Sequence, residues 1–206
     1  MTLLRPVILL ALLGACSSTD DRALNNQSGT PPSGSVSSAR SLLSGSSVAG
    51  IGLCDSLARV SEIFPGARDT VLYGEGEGAD SGWPSKIVTW AAGEELVFET
   101  SWADTIHVWR ITTTSARFRT RSGLHVGSTM ADVYATGDSV GFEYPEGMLA
   151  ITLDRDSVGL LVDDSSAAAF WRRFSYTGDP RAVLTPTARI KSLGIGANCA
   201  ATKAAA

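Results

Sequence analysis

Lysine is almost missing from this chain: Lys86, Lys191 and Lys203 are the only three in 206 residues, and the formal net charge is −4. Without clustered Lys and Arg there is no electrostatic footprint for nucleic acid and no polybasic patch for a membrane surface. Nucleic acid is therefore not expected as a partner. Histidine is as scarce. Only His107 and His125 occur, with no H-E-x-x-H spacing to bring two imidazoles to one helix face. No metal centre or other cofactor is expected. The serine-hydrolase elbow G-x-S-x-G is absent, and no S-x-x-K pair occurs in the folded region, so no residue is assigned a catalytic role. Long apolar runs are lacking too. The stretch from Val7 to Leu13 is far short of the roughly 20 residues a helix needs to cross the hydrocarbon core, which argues against a permanent span.

That short run has another reading. Arg5 precedes it and Gly14, Ala15 and Cys16 follow, the order of charged, apolar and cleavage regions in a secretory signal. Leu13-Gly14-Ala15-Cys16 resembles the lipobox of bacterial lipoproteins, which implies removal of residues 1–15 and lipidation of Cys16. Acyl chains contribute about 0.8 kcal/mol per buried methylene, so the lipid, palmitate included, would anchor the mature chain. Ser17, rather than Asp, beside the lipidated cysteine favours an outer-membrane location, facing the periplasm or the cell surface. From Ser17 to Ser47 the chain is rich in Ser, Gly, Asn and Pro and reads as a flexible tether. With Cys16 lipidated, Cys54 and Cys199 remain near the ends of the folded region. Thiols tend to oxidise in that compartment, so a disulfide is the natural pairing, with two separate buried thiols as the alternative.

The folded part is expected to begin at residue 48. Residues 50–60 lie over 123–133 at an offset of 73, each with apolar residues at helical spacing: Leu53, Leu57, Val60 and Phe64, then Met130, Val133 and Tyr134. Asp55 and Ser128 are candidate N-caps. Strand signals follow each helix: Thr70–Tyr73, Lys86–Trp90, Glu95–Thr100 and Thr105–Thr112, then Val140–Tyr144, Met148–Leu153, Val158–Asp163 and Ala188–Ile195. The spacing of Ile106, Trp109 and Ile111 matches Ile190, Leu193 and Ile195 and equates the last strands. An insertion from Ser165 to Pro186 carries a helical stretch, Ala167–Phe174. The expected fold is α+β, two tandem helix-plus-four-strand repeats (48–122 and 123–199) forming antiparallel sheet with short helices packed on it. A frayed tail at 200–206 completes the chain.

The phrase Thr120-Arg-Ser-Gly-Leu-His-Val-Gly-Ser-Thr-Met-Ala-Asp-Val-Tyr134 resembles the T-x-x-G-hydrophobic-x-V-G-S-T-x-x-D/E-V segment of many uncharacterised bacterial lipoproteins. It is similar, more distantly, to the helix start of outer-membrane-assembly lipoproteins and β-lactamase-inhibitor-like modules. The resemblance implies that the glycines permit a tight turn, that the threonine caps the helix, and that the module is non-enzymatic. At Gly50–Val60 the echo is weaker, with Cys54 in place of Gly127.

Other candidates are bland. Glu75, Glu77 and Asp80 sit in a Gly-rich segment that could offer oxygens to calcium but reads as a solvated turn. Asp163 and Asp164 alternate across a strand end and do not converge. Trp90, Phe98, Trp102 and Trp109 are core residues by default; on an uncovered sheet face they would form a protein-binding patch. The expectation is thus a membrane-anchored envelope lipoprotein, a non-enzymatic binding or structural module with an envelope protein as its partner. An envelope enzyme built from scattered carboxylates with His107 or His125, and an inhibitor of a secreted enzyme, are the alternatives.

Overall fold

The computed structural model describes residues 41–73, 82–90, 93–143, 150–162, 184–197 and 199. Three two-residue strands come first: β1 (Leu43–Ser44), β2 (Ser47–Val48) and β3 (Ile51–Gly52), which form a small antiparallel sheet. Helix α1 (Ala58–Ile63) leads into β4 (Arg68–Leu72), β5 (Trp83–Thr89), β6 (Glu95–Glu99) and β7 (Arg110–Thr113). Helix α2 (Met130–Ala135) leads into β8 (Val140–Glu143), β9 (Ala150–Leu153), β10 (Val158–Val162) and β11 (Ile190–Gly196). The last eight strands make one antiparallel sheet in the order β4-β5-β6-β7-β11-β10-β9-β8. The protein is therefore mostly antiparallel sheet with two short helices, an α+β arrangement.

Alternation builds one face of that sheet. In β10 the residues Val158, Leu160 and Val162 are buried while Gly159 and Leu161 are half-buried. Leu96 and Phe98 in β6, and Ile111 in β7, point the same way. Against this face pack Val60 of α1, Met130 and Val133 of α2, and Leu43, Val48 and Ile51 of the small sheet, all fully buried. Leu43 also donates its N–H to the Arg119 carbonyl. Residues 41–47, expected to belong to the tether, are instead part of the folded region: a serine-rich composition hid Leu43, whose burial adds about 1.5 to 3 kcal/mol.

Both expected caps are corrected. Thr129 is the N-cap of α2, as the resemblance implied: its hydroxyl accepts from the Asp132 N–H, and the Asp132 carboxylate accepts from the Thr129 N–H at 2.7 Å. Ser128 accepts from the His125 N–H instead. At α1 the N-cap is Leu57, with no side-chain bond, while Asp55 accepts from the Gly52 N–H. The strand expected from Thr105 begins only at Arg110, because Ile106, His107 and Val108 pair with the segment from Cys54 to Leu57 instead of with a strand of the large sheet. The expected helix at 167–174, the acidic turn at 74–80, Asp163, Asp164 and the tail lie outside the described residues.

The two helix starts share their backbone bonding. Cys54 N–H donates to Val108 O and Leu57 N–H to Ile106 O; Gly127 N–H donates to Ile190 O and Met130 N–H to Ala188 O. Gly50 and Gly123 have φ of 84° and 88°, and Cys54 and Gly127 have φ of 71° and 94°. Cys54 thus adopts the left-handed backbone that its counterpart reaches as glycine. By these bonds Ile106 has the role of Ala188 and Val108 that of Ile190, which moves the expected match of Ile106 with Ile190 by two residues.

Cys54 and Cys199 form the disulfide, with Cα atoms 5.4 Å apart across 145 residues of sequence. Closing so long a loop stabilises by about 4 to 5 kcal/mol in the chain-entropy picture. Replacing both cysteines by serine should lower the unfolding free energy in urea by about that amount. Thr129→Ala should cost about 1 kcal/mol in the same measurement, while Ser128→Ala should cost less.

Candidate ligand-binding trough

The opposite face of the large sheet is not packed by α1, α2 or the small sheet. Cross-strand register lines up one row on it: Ile87 with Val97, Val97 with Thr112, Thr112 with Gly194, Gly194 with Gly159, and Gly159 with Thr152. All six line a single cavity of about 900 Å³. The row crosses β5, β6, β7, β11, β10 and β9, five intervals of about 4.8 Å, so the trough is about 24 Å long. Small residues make it deep at the middle, where Gly159 and Gly194 carry no side chain. Leu72 and Tyr73 line it toward β4, and Leu161 and Ala150 toward β9.

Its polar groups sit along the two sides. Glu99, whose side chain is 5% exposed, accepts from Arg110 Nε at 2.9 Å and from Nη2 at 2.6 Å. This fork matches carboxylate geometry and satisfies both oxygens. The guanidinium carbon also lies 5.2 Å from the Trp109 ring centroid. Glu95 stands two residues from Val97 on the same side of β6, and its carboxylate has no hydrogen bond or ion pair among the described residues. Asp154 and Ser157 line the far end.

The four aromatic residues, read as core by default and as a patch on an uncovered face, are split. Trp90 and Phe98 belong to the buried core, where Trp90 packs at 6.3 Å from Phe64 and 5.7 Å from Phe118. They cannot meet a partner, because the strand face they occupy is the one the helices cover. Trp102 is 68% exposed, and it lines a second cavity of about 660 Å³ together with Trp83, Trp109 and Ile106. The indole nitrogens of Trp83 and Trp109 are buried without a partner. Sequence reading missed Trp83 and Ile106 here, and it missed the whole trough.

The histidines lie in different places. His107 lines the second cavity, with Nδ1 2.8 Å from Asp104 Oδ2. Asp104 is held below the usual carboxylate range by the Ile106 N–H, against its partial burial and with help from His107. Both carboxylate oxygens are already engaged, and the neighbouring Ser101 hydroxyl accepts from the Asp104 N–H. His125 lies beside α2, with Nδ1 2.6 Å from Ser128 Oγ. Burial holds its imidazole below the usual value; Arg119 adds to this and Asp132 opposes it. Among the described residues no three His, Cys, Asp or Glu side chains converge in a way that could hold a metal ion. No helix of these residues is long and apolar enough to cross a membrane.

Fold and site together define an antiparallel-sheet α+β module with one packed face and one troughed face. Neither a protein-family model nor a curated protein matches the chain. Among solved structures it is similar to the crystal structure of the uncharacterized protein yfeY from Escherichia coli, with a TM-score of 0.50 and 12% identity over 75% of this chain and 99% of that one. At this identity the likeness is one of fold alone.

The split of the aromatic residues has a measurable consequence. Trp90→Ala should destabilise by about 3 to 5 kcal/mol, whereas Trp102→Ala should stay within about 0.5 kcal/mol; urea unfolding of the two variants side by side decides it.

Proposed function

We propose that this protein is a non-enzymatic binding module of the bacterial cell envelope, tethered by lipid at Cys16, whose trough receives the apolar chain of a small amphipathic molecule. The trough is the observation that carries this reading. Its volume of about 900 Å³ falls within the roughly 300 to 1,000 Å³ of small-molecule sites. Its recessed floor of glycine and threonine suits a narrow chain better than a broad protein surface. With Trp90 and Phe98 in the core, the tryptophan patch considered for a protein partner loses two of its four members.

The folded part, on this proposal, is two copies of one unit. The matched bonds and left-handed positions at Gly50, Cys54, Gly123 and Gly127 support it. So does the junction, where Ile111 pairs with Ile195 and Thr113 with Leu193, the symmetric pattern expected when equivalent strands meet about a twofold axis. The trough then straddles the join, half from each unit.

Export and anchoring rest on the residues from Met1 to Cys16. Cys16→Ser, expressed in a bacterial host, should fail to incorporate labelled palmitate and should leave the membrane fraction; retention of both would refute the anchor. For the trough, an environment-sensitive naphthalene dye should bind the purified folded domain and be displaced by dodecyl compounds. Gly194→Phe should abolish that binding with the fold intact. A Cβ at Gly194 meets only Thr112 Oγ1 at 3.5 Å and Ile111 O at 3.6 Å, ordinary contacts. Unchanged dye binding in Gly194→Phe would remove the trough from consideration.

A further inference from the structure

Four charged side chains line the trough among the described residues: Glu95, Glu99, Asp154 and Arg110. Three acids against one base leave two negative charges uncompensated. Arg110 places its Nε–Nη2 fork on Glu99, so its charge is paired with that acid. Arg68 stands beyond Ile87 in the same row, but it does not line the cavity. Asp154 is exposed at the turn after β9. Glu95 is different, being half-buried, beside the apolar row at Val97, and without a partner for its carboxylate among the described residues.

We infer that the trough selects amphiphiles by head-group charge: it takes an apolar chain carrying a cationic, amine-type head group, which Glu95 receives, and it disfavours anionic heads. This rests on the reading of the trough as an apolar-chain site. A fatty-acid carboxylate placed along the row would bring a third uncompensated negative charge into a partly desolvated site, where like-charge contact is penalised more than in water. An ammonium would instead give Glu95 a charge-assisted hydrogen bond, the stronger kind. A neutral head group would gain neither.

Three probes of one chain length separate the terms: dodecylammonium, dodecanol and dodecanoate, each below its aggregation concentration, competing with the naphthalene dye on the purified domain. The expected order of affinity is dodecylammonium, then dodecanol, then dodecanoate. Each step should be about fivefold, the ratio given by a surface ion pair of about 1 kcal/mol. Glu95→Gln should erase the advantage of dodecylammonium over dodecanol. Equal or tighter binding of dodecanoate, or a preference that persists in Glu95→Gln, would overturn the inference while leaving the trough in place. Failure of all three probes to displace the dye would instead overturn the apolar-chain site and this inference with it. Gly159→Phe provides a second blocking variant: a Cβ there meets only Gly194 O, at 3.5 Å, so loss of all three ligands with unchanged thermal unfolding ties binding to the row.

Discussion

The pairing of β7 with β11 is the contact on which the rest of the architecture depends. Each is the last strand of its meander, and without the other each would present an open edge of unpaired N–H and C=O groups. Four residue pairs close the gap, from Thr113 with Leu193 to Arg110 with Gly196. Among the described residues β4 and β8 are then the edges of the large sheet. The same register sets Thr112 opposite Gly194, and β10 carries the line on to Gly159. A shift of one residue at this junction would turn Ile111 and Ile195 out of the core and break the trough at its middle, because side-chain direction alternates with period two.

Width then limits what can be covered. Eight strands at about 4.8 Å span roughly 34 Å, and the described helices are two of six residues each. Those helices and the small β1–β3 sheet are enough for one apolar layer. The chain spends its large apolar residues accordingly: Leu96, Phe98, Ile111, Ile151, Leu160 and Ile190 all lie on the packed side. The other side receives Thr, Gly and Ser, with Leu72, Ile87, Val97, Ala150 and Leu161 among its apolar members. The disulfide fastens this layer at its margin, where Cys199 Sγ lies 3.5 Å from Val108 O, the carbonyl that also accepts from the Cys54 N–H.

Much of the packed face was legible in the sequence because burial there is periodic. Val158, Leu160 and Val162 alternate plainly, and the strands they predict are found within a residue or two. The two cysteines were legible by elimination. The register between halves was not: Ile106 and Ile190 look alike as residue types, yet Ile106 is 61% exposed and the residue sharing its bonding role is Ala188. Apolar identity alone could not reveal that residues 105–109 are irregular. The default reading of core packing holds for Trp90 and Phe98, and Trp102, 68% exposed, departs from it. Large area announces that a residue is buried or bound somewhere, but parity along the strand and the side on which helices lie decide which, and both are set by pairings far apart in sequence.

The trough left almost no local signal, since its floor is made by residues that lack side chains. Glycine within a strand costs about 0.5 to 1 kcal/mol relative to alanine, and its usual justifications are a turn, a bulge or a close approach of another chain. Gly141 has such a justification, because a Cβ there would collide with the Thr152 hydroxyl. Gly159 and Gly194 have none. Neither has a left-handed φ, and an added Cβ at either would meet its neighbours at ordinary distance. What these two glycines provide is depth, at the point where the strands of both meanders meet. Local backbone geometry does not require them. Both line the cavity, and a large side chain at either position would take up part of its volume.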